Sequence, residues 1–238
     1  MPSILKLKKE YLVLLPGLDG TGRLFRPLLN VMTGEFEPGV VTYPPDMRLS
    51  YEQLFPLIRE VMPWDAPYTL VAESLAGPLA LRFAAEQRGD IKAIVLCASF
   101  VRNPLHPMFA WTHSLLKESL FQKPLPPAIL KKFFAGNDCP PPLLDAIKEA
   151  IGMVRPEVLA HRVRLALETD AREALRSLEK PILYLQAAQD EIVGRRGLEE
   201  IQSIKPAVVS VVIDGPHLLL QRRPKEAFAA IREFLADK

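Results

Sequence analysis

Three residue types that together activate a hydroxyl group for acyl transfer occur at distant positions in this chain: Ser74, Asp190 and His217. A serine hydroxyl is a weak nucleophile at neutral pH, so it needs a base such as histidine to take its proton. A carboxylate beside the histidine fixes its tautomer and stabilises its cation. Each of the three follows a short apolar run that predicts a strand. Because loops after parallel strands meet at one edge of a sheet, we expect the three side chains to lie together.

The stretch around Ser74 predicts a sharp turn between a strand and a helix. The preceding run, 68–71, is apolar and rich in strand-forming residues, and a helical pattern follows. Small residues flank Ser74, although Ala72 and Ala76 stand where the Gly-x-Ser-x-Gly pattern of a nucleophile elbow has glycine. An ordinary helix N-cap is the competing interpretation of this stretch. The amide of Leu75, at the helix N-terminus, is predicted to point at the group that Ser74 attacks.

Alternating apolar runs and helical patterns predict the fold class. Such alternation is typical of an α/β protein, with a mostly parallel sheet and helices on both faces. The alternation lapses over 100–176, where prolines and large apolar residues accumulate, and this predicts an inserted helical cap on a core made of 1–99 and 177–238. The predicted strands are 3–9 at an edge, 11–15, 40–43, 68–71, 91–97, 182–185 and 208–213.

Composition excludes several classes of function. The chain has 238 residues and a formal net charge of +2, which gives no reason to expect nucleic acid or an acidic membrane as a partner. Its two cysteines, Cys97 and Cys139, have no metal-ligand spacing, and no apolar run approaches a membrane span. The lysine-rich start lacks the apolar core of a signal peptide. We therefore expect a soluble cytoplasmic protein without metal, cofactor or integral membrane association, and its oligomeric state stays open.

A glycine-rich loop, 16–22, follows the first apolar run. Glycines allow a tight turn and expose backbone amides. A phosphate-binding loop would need a Lys-Ser/Thr pair after the last glycine, but Arg23 and Leu24 stand there, and the dinucleotide pattern does not match either. Asp19 within the loop is expected to fix a turn.

The order nucleophile, acid, histidine, together with local motifs, resembles the α/β-hydrolase superfamily over nearly the whole length. Pro-Gly-Leu at 16–18 is similar to its oxyanion loop, with proline in place of histidine. The segment 72–77 resembles the nucleophile elbow, and Asp-Glu-Ile-Val at 190–193 resembles the acid loop. Gly-Pro-His at 215–217, followed by Arg-Pro at 223–224, is similar to the histidine loop. The loop after the first apolar run is also similar to that of acyl-ester enzymes related to plant phytyl ester synthases.

The resemblance implies a serine hydrolase that cleaves a carboxylic ester. Ser74 would form the acyl-enzyme, His217 would act as general base, and Asp190 would orient it. The backbone amides of Leu18 and Leu75 would form the oxyanion hole. The alternatives are an acyltransferase that uses the same acyl-enzyme and a non-catalytic ligand-binding protein of the same fold.

The cap is expected to cover an apolar pocket, so the substrate would be a small ester with an apolar acyl group. The proposed pocket residues are Phe100, Phe109, Trp111 and Phe121, with Phe133 and Phe134 as further bulky cap residues.

Other candidates compete for some roles. Asp214, three residues before His217, is an alternative to Asp190 as the acid. Glu73 is expected to face solvent or a neighbouring loop. The remaining histidines, which fall in the cap, are expected to have structural or surface roles: His106, His113 and His161.

Overall fold

Six parallel strands form one sheet in the computed structural model, which describes residues 9–86, 90–104 and 118–237. Across the sheet the strand order is β2-β1-β3-β4-β5-β6. This order confirms the predicted fold class. The strands are β1 (Glu10–Leu15), β2 (Phe36–Val40), β3 (Tyr68–Glu73), β4 (Ile91–Cys97), β5 (Ile182–Ala187) and β6 (Val209–Ile213).

The second strand begins earlier than the apolar run at 40–43 indicates. Among the strands that the structure describes, β2 lies at the sheet edge and pairs with β1 alone, and it contains Pro38 and Gly39. An edge strand tolerates proline because one side of its backbone has no partner strand. The predicted edge strand over 3–9 falls, except for its last residue, outside the described residues.

Ten helical segments connect or follow the strands in the described part of the chain. They are α1 (Arg26–Leu29), α2 (Phe55–Val61), α3 (Ala76–Glu86), α4 (Pro127–Ile129), which continues as a π-helix over Leu130–Ala135, α5 (Pro141–Gly152), α6 (Pro156–Glu168), α7 (Arg172–Ser177), α8 (Gly194–Ile204), α9 (Leu219–Arg222) and α10 (Pro224–Ala236). Short 3-10 turns lie at Arg23–Phe25, Glu52–Leu54 and Glu118–Phe121. None of the helices that the structure describes is long and apolar enough to cross a membrane.

The sheet is buried on both faces, because alternate residues of its central strands enter two different cores. Leu70 in β3 packs in a cluster with residues of α2, α3, α7 and α8. Val71, its neighbour, packs in the opposite cluster with residues of α1, α9 and α10. All six residues of β3 are buried, so its end is held rigidly from both sides.

Helices α4 to α7 form the helical insertion between β4 and β5. Leu130, Ile147 and neighbouring apolar residues of the insertion share a small core with Leu24 and Leu218. Leu24 follows the loop after β1, and Leu218 follows the loop after β6. The insertion is therefore packed on the edge of the sheet where the strands end.

Candidate active site

Ser74 lies directly after β3 in a backbone conformation that L-residues rarely adopt. Its φ is 51°, so the turn stores strain and lifts the side chain out of the strand. The Ser74 N–H donates to Cys97 O at 2.9 Å, and Ser74 O accepts from Gly77 N–H at 3.1 Å. The Ser99 hydroxyl also donates to Ser74 O at 2.6 Å. The expected strand-to-helix turn is thus present, and these three hydrogen bonds fix its shape.

Glycine is required at position 77 rather than at the two alanine positions of the elbow. A Cβ added to Gly77 would lie 2.9 Å from Ser99 Cβ and 3.3 Å from Phe100 O. The chain after β4 therefore passes too close to allow any side chain there. Ala76, by contrast, is accommodated as a buried residue at the start of α3.

The structure brings Ser74, His217 and Asp190 together in one hydrogen-bonded series. His217 Nδ1 donates to Asp190 Oδ2 at 2.9 Å, which leaves Nε2 to accept from the Ser74 hydroxyl at 2.8 Å. The other oxygen of Asp190, Oδ1, accepts from the amides of Ile192 at 2.8 Å and Val193 at 3.1 Å. This loop after β5 holds the carboxylate from its far side and orients it toward the imidazole.

Charges within the series set the protonation of its members. Burial disfavours a charged imidazole, but the Asp190 carboxylate outweighs burial and raises the pKa of His217 above its ordinary value. Burial opposes the charge of Asp190 too, but the His217 cation and the hydrogen bonds hold its pKa below the ordinary value. A histidine with a raised pKa, beside an ionised acid, is suited to accept a proton from a hydroxyl group.

Asp214 does not occupy the acid position. Its side chain is exposed, accepts from Gln189 Nε2 at 2.7 Å, and forms no hydrogen bond with His217 in the described structure. The acid that contacts the imidazole is Asp190 instead. Of the two candidate acids, Asp190 therefore contacts the imidazole in the described structure and Asp214 does not.

The two amides predicted to form the oxyanion hole belong to Leu18, in the loop after β1, and to Leu75, which follows Ser74 in the chain. Gly17 and Leu18 of the loop after β1 line a cavity with Ser74, and a Cβ added to Gly17 would lie 3.6 Å from Ser74 Cβ. Neither the Leu18 N–H nor the Leu75 N–H donates to an acceptor among the described residues. Both predicted donors thus retain their hydrogen-bonding capacity. Asp19, as expected, fixes the turn by accepting from the Thr21 amide at 2.9 Å.

Of its two expected placements, solvent or a neighbouring loop, Glu73 takes the second: its Oε2 would lie 3.8 Å from a Cβ added to Gly17, in the loop after β1. Its residue exposure is 2%, and its Oε2 accepts from Gln221 Nε2 of α9 at 3.2 Å. Its Oε1 is buried without a partner among the described residues, and burial raises the pKa of this carboxyl to about 7. The period-2 pattern of a strand could have revealed this, since Glu73 lies on the same face as the buried Val71.

Two cavities lie beside the series. The serine pocket, of about 40 Å³, is lined by Ser74, His217 and mainly apolar side chains, including Phe134. The insertion chamber, of about 410 Å³, is lined mainly by apolar residues of the helical insertion. Leu18 and Ile151 line both cavities, so the two adjoin at these side chains.

The predicted pocket residues have different outcomes. Phe121 lines the insertion chamber. Phe100 is only 3% exposed, belongs to the buried core at the end of β4, and is absent from the described walls of both cavities. Phe109 and Trp111 lie outside the described residues. Phe134 contributes instead: its ring packs edge-on against the His217 imidazole at a centroid distance of 6.0 Å.

His161 takes no part in the series. His161 Nε2 bonds the backbone carbonyl of Leu49 at 3.1 Å, which agrees with a structural role. His106 and His113 lie outside the described residues. Among the residues that the structure describes, no cluster of three or more His, Cys, Asp or Glu side chains is arranged to hold a metal ion.

Two curated proteins are similar in sequence to part of this chain. The biotin biosynthesis bifunctional protein BioHC of Teredinibacter turnerae is 25% identical over 209 residues, which cover 79% of this chain and 36% of that protein. Phytyl ester synthase 1 of Arabidopsis thaliana is 30% identical over 122 residues, which cover 48% of this chain and 17% of that protein. The chain therefore spans about a third or less of the length of these curated relatives.

Solved structures show the same fold. An esterase from Exiguobacterium antarcticum superposes with a TM-score of 0.81 at 16% identity, and the match covers 96% of this chain and 92% of that one. The profile of the Alpha/beta hydrolase family matches residues 12–231, a range that includes Ser74, Asp190 and His217. By this match and by its sheet, the chain belongs to the alpha/beta hydrolase family.

Proposed function

We propose that this protein is a serine hydrolase that cleaves carboxylic esters with an apolar acyl group through an acyl-enzyme on Ser74. The observation that carries the proposal is the hydrogen-bonded series from Asp190 through His217 to the Ser74 hydroxyl. Family membership and the two unpaired amides beside Ser74 support it. A non-catalytic binder of the same fold would have no use for this series.

In the proposed mechanism, Ser74 Oγ attacks the ester carbonyl carbon while His217 Nε2 takes the hydroxyl proton. The carbonyl oxygen becomes an oxyanion, and the amides of Leu18 and Leu75 donate to it. Such donors are typically worth about 3 kcal/mol each in the transition state. His217 then returns its proton to the leaving alkoxide, and the C–O bond of the ester breaks.

The acyl-enzyme is hydrolysed by the same groups in reverse roles. His217 takes a proton from water, the resulting hydroxide attacks the acyl carbon, and collapse releases the acid and restores the Ser74 hydroxyl. Asp190 remains ionised throughout and stabilises the imidazolium that forms twice in each cycle.

The walls of the cavities support an apolar acyl group. Leu24, Phe134 and Leu218 line the serine pocket, and no lysine or arginine is among its described lining residues. A negatively charged acyl group would therefore lose its hydration in the serine pocket without gaining a cationic partner, and it would lie near the carboxyl residues Asp19 and Glu73 of the same wall. In this proposal residues 100–176 form a cap over the site, on a core made of 1–99 and 177–238.

An acyltransferase that uses the same acyl-enzyme is the second candidate. The observation in its favour is the local similarity to phytyl ester synthase 1, a protein whose name describes ester formation. An alcohol would then replace water in the second half of the cycle.

Covalent labelling tests the proposal. The protein is treated with a fluorophosphonate, digested and mapped by mass spectrometry; we expect the label on Ser74, and Ser74→Ala should neither label nor turn over p-nitrophenyl esters. Ser177→Ala, which changes an exposed serine of α7, serves as the control. Modification of another serine, with Ser74 untouched, would overturn the assignment.

Substrate and acceptor preference are measured separately. We expect kcat/KM to be higher for straight-chain than for charged p-nitrophenyl esters. A clear preference for charged acids would refute the apolar pocket. Formation of a new ester from an added long-chain alcohol, in competition with water, would favour the acyltransferase.

A further inference from the structure

Arg162 in α6 is a buried cation of the helical insertion, and burial lowers its pKa although the charge of the nearby Asp19 opposes this. Its exposure is 5%, and it forms no salt bridge with any acidic residue in the described ranges. Burying a cation is costly unless other groups compensate for its lost hydration. An apolar side chain could fill the space between α6 and the core without this cost. The buried charge must therefore be compensated by the contacts of the guanidinium.

The guanidinium donates to backbone carbonyls of two loops that belong to the core. Nη1 donates to Leu18 O at 3.0 Å and to Asp19 O at 2.7 Å, and Nη2 donates to Pro44 O at 3.0 Å. The ring of Tyr43 lies 5.5 Å from Cζ and stacks against the cation. The donors of a guanidinium lie in one plane at fixed angles, so they can bind carbonyls of two loops at once. A lysine ammonium, on its flexible stem, would fix the positions of these carbonyls less precisely.

The local backbone is shaped to admit this contact. Gly20 has a φ of 66°, and a Cβ at that position would lie 2.6 Å from Arg162 Nη1. A side chain at position 20 would therefore push the guanidinium away from the loop. Gly20 therefore has two roles: it adopts the positive φ of the turn, and its lack of a side chain leaves space for the guanidinium of Arg162.

The side chain of Leu18 is held by the same part of the insertion. It packs against a cluster of Val154, Val158 and Leu159, at and before the start of α6. The carbonyl and the side chain of Leu18 are thus both fixed from the stretch 154–162. With these two groups fixed, the position of the Leu18 nitrogen is set. The peptide plane that carries its N–H is held in turn by Gly17 O, which accepts from Gly20 N–H at 3.2 Å.

We propose that Arg162 is a positioning residue for the oxyanion-hole amide of Leu18, so that the helical insertion determines whether the core is competent for catalysis. This inference rests on the proposed function, because it assigns a role to that same oxyanion hole. Arg162 is not among the described residues that line the serine pocket; it acts through the carbonyls of Leu18 and Asp19. Without it, the loop would move away from the geometry that the transition state requires.

Two substitutions of Arg162 test this role. Arg162→Met keeps the length of the side chain and removes all donors, and Arg162→Lys keeps a charge without the planar fork. A misplacement of about 1 Å can lower a rate about 100-fold, so we expect Arg162→Met to lower kcat by that order with little change in KM. Arg162→Lys should lie between. Arg176→Met, which changes an exposed arginine of α7, is the control.

A second readout separates positioning from a general loss of structure. A weaker oxyanion hole should slow an oxygen ester more than the matching thionoester, since sulfur accepts hydrogen bonds poorly. We expect the ester-to-thionoester ratio of kcat/KM to fall in both variants and to stay unchanged in Arg176→Met. Rates are expressed per folded molecule from thermal unfolding, and if Arg162→Met does not fold, Arg162→Lys alone decides the outcome.

Hydrogen exchange tests the contact independently of activity. We expect peptides that contain residues 16–22 to exchange faster in the Arg162 variants than in the wild type. Unchanged exchange, or a fall in kcat with an unchanged ester-to-thionoester ratio, would overturn the positioning role. Absence of Ser74-dependent ester hydrolysis in the wild type would instead refute the proposed function, so the two failures are distinguishable.

Discussion

Replacing Glu73 by glutamine should stabilise the protein at alkaline pH. The carboxyl is buried, and burial raises its pKa from the ordinary 4.5 to about 7. Between these values the folded state keeps a proton that the unfolded state has lost, so stability falls as pH rises through this window. The whole difference corresponds to roughly 3 kcal/mol, reached above pH 7. Glutamine has no charge to bury and escapes this cost.

Urea unfolding, followed by circular dichroism at pH 5 and pH 8, measures the effect. We expect Glu73→Gln to exceed the wild type in free energy of unfolding by less than about 1 kcal/mol at pH 5 and by roughly 3 kcal/mol at pH 8. Glu60→Gln, which changes an exposed carboxylate of α2, should show no such trend. An equal difference at both pH values would refute the reasoning and imply that Glu73 is charged or neutral throughout.

The same substitution should affect catalysis through His217. The negative charge of Glu73 adds to the effect of Asp190 in raising the pKa of His217. In Glu73→Gln the acid limb of the kcat/KM profile for a p-nitrophenyl ester should therefore move to lower pH. An acid limb at the wild-type position would show that the charge of Glu73 does not reach the imidazole.

Two further substitutions have distinct expected outcomes. Asp190→Asn should lower kcat by about four orders of magnitude because it favours the wrong tautomer of His217, whereas Asp214→Asn should retain near-normal ester hydrolysis; the reverse order would swap the two roles. Gly77→Ala should lower the free energy of unfolding by about 1–3 kcal/mol, as overpacking does, because its Cβ would lie 2.9 Å from Ser99 Cβ. A thermal midpoint equal to that of the wild type would contradict the crowding at the elbow.

Strong local patterns made most of the fold predictable. Buried parallel strands appear in sequence as short apolar runs, and the run at 91–97 corresponds to β4. The apolar run at 208–213 corresponds closely to β6, although this end strand of the described sheet is largely exposed. β2 was harder because Pro38 and Gly39 weaken the strand pattern, and only the position at the sheet edge makes them acceptable. That position is set by the whole sheet rather than by the local sequence.

The three chemical groups of the site could be inferred, but their surroundings could not. Ser74, Asp190 and His217 follow strands, and this placement alone predicted that they meet. The role of Arg162 had no local signal, since its partners are carbonyls of loops that lie more than 100 positions earlier in the chain. Solvent stayed open as a placement for Glu73 because of its residue type, although its strand face indicated burial. Contacts of this kind become visible only in three dimensions.

The spacing of the hydrogen-bonded series along the chain has a consequence for folding. Ser74 and His217 are 143 positions apart, and Asp190 reaches His217 only when β5 and β6 are paired. Closing a loop of that length costs conformational entropy before the new contacts can stabilise the chain. Such pairings therefore form slowly and together with the rest of the sheet. The nucleophile is therefore inert in a nascent or partly folded chain. Reactivity at Ser74 is acquired in the last stage of folding, when the protein has little exposed backbone left whose carbonyl groups it could attack.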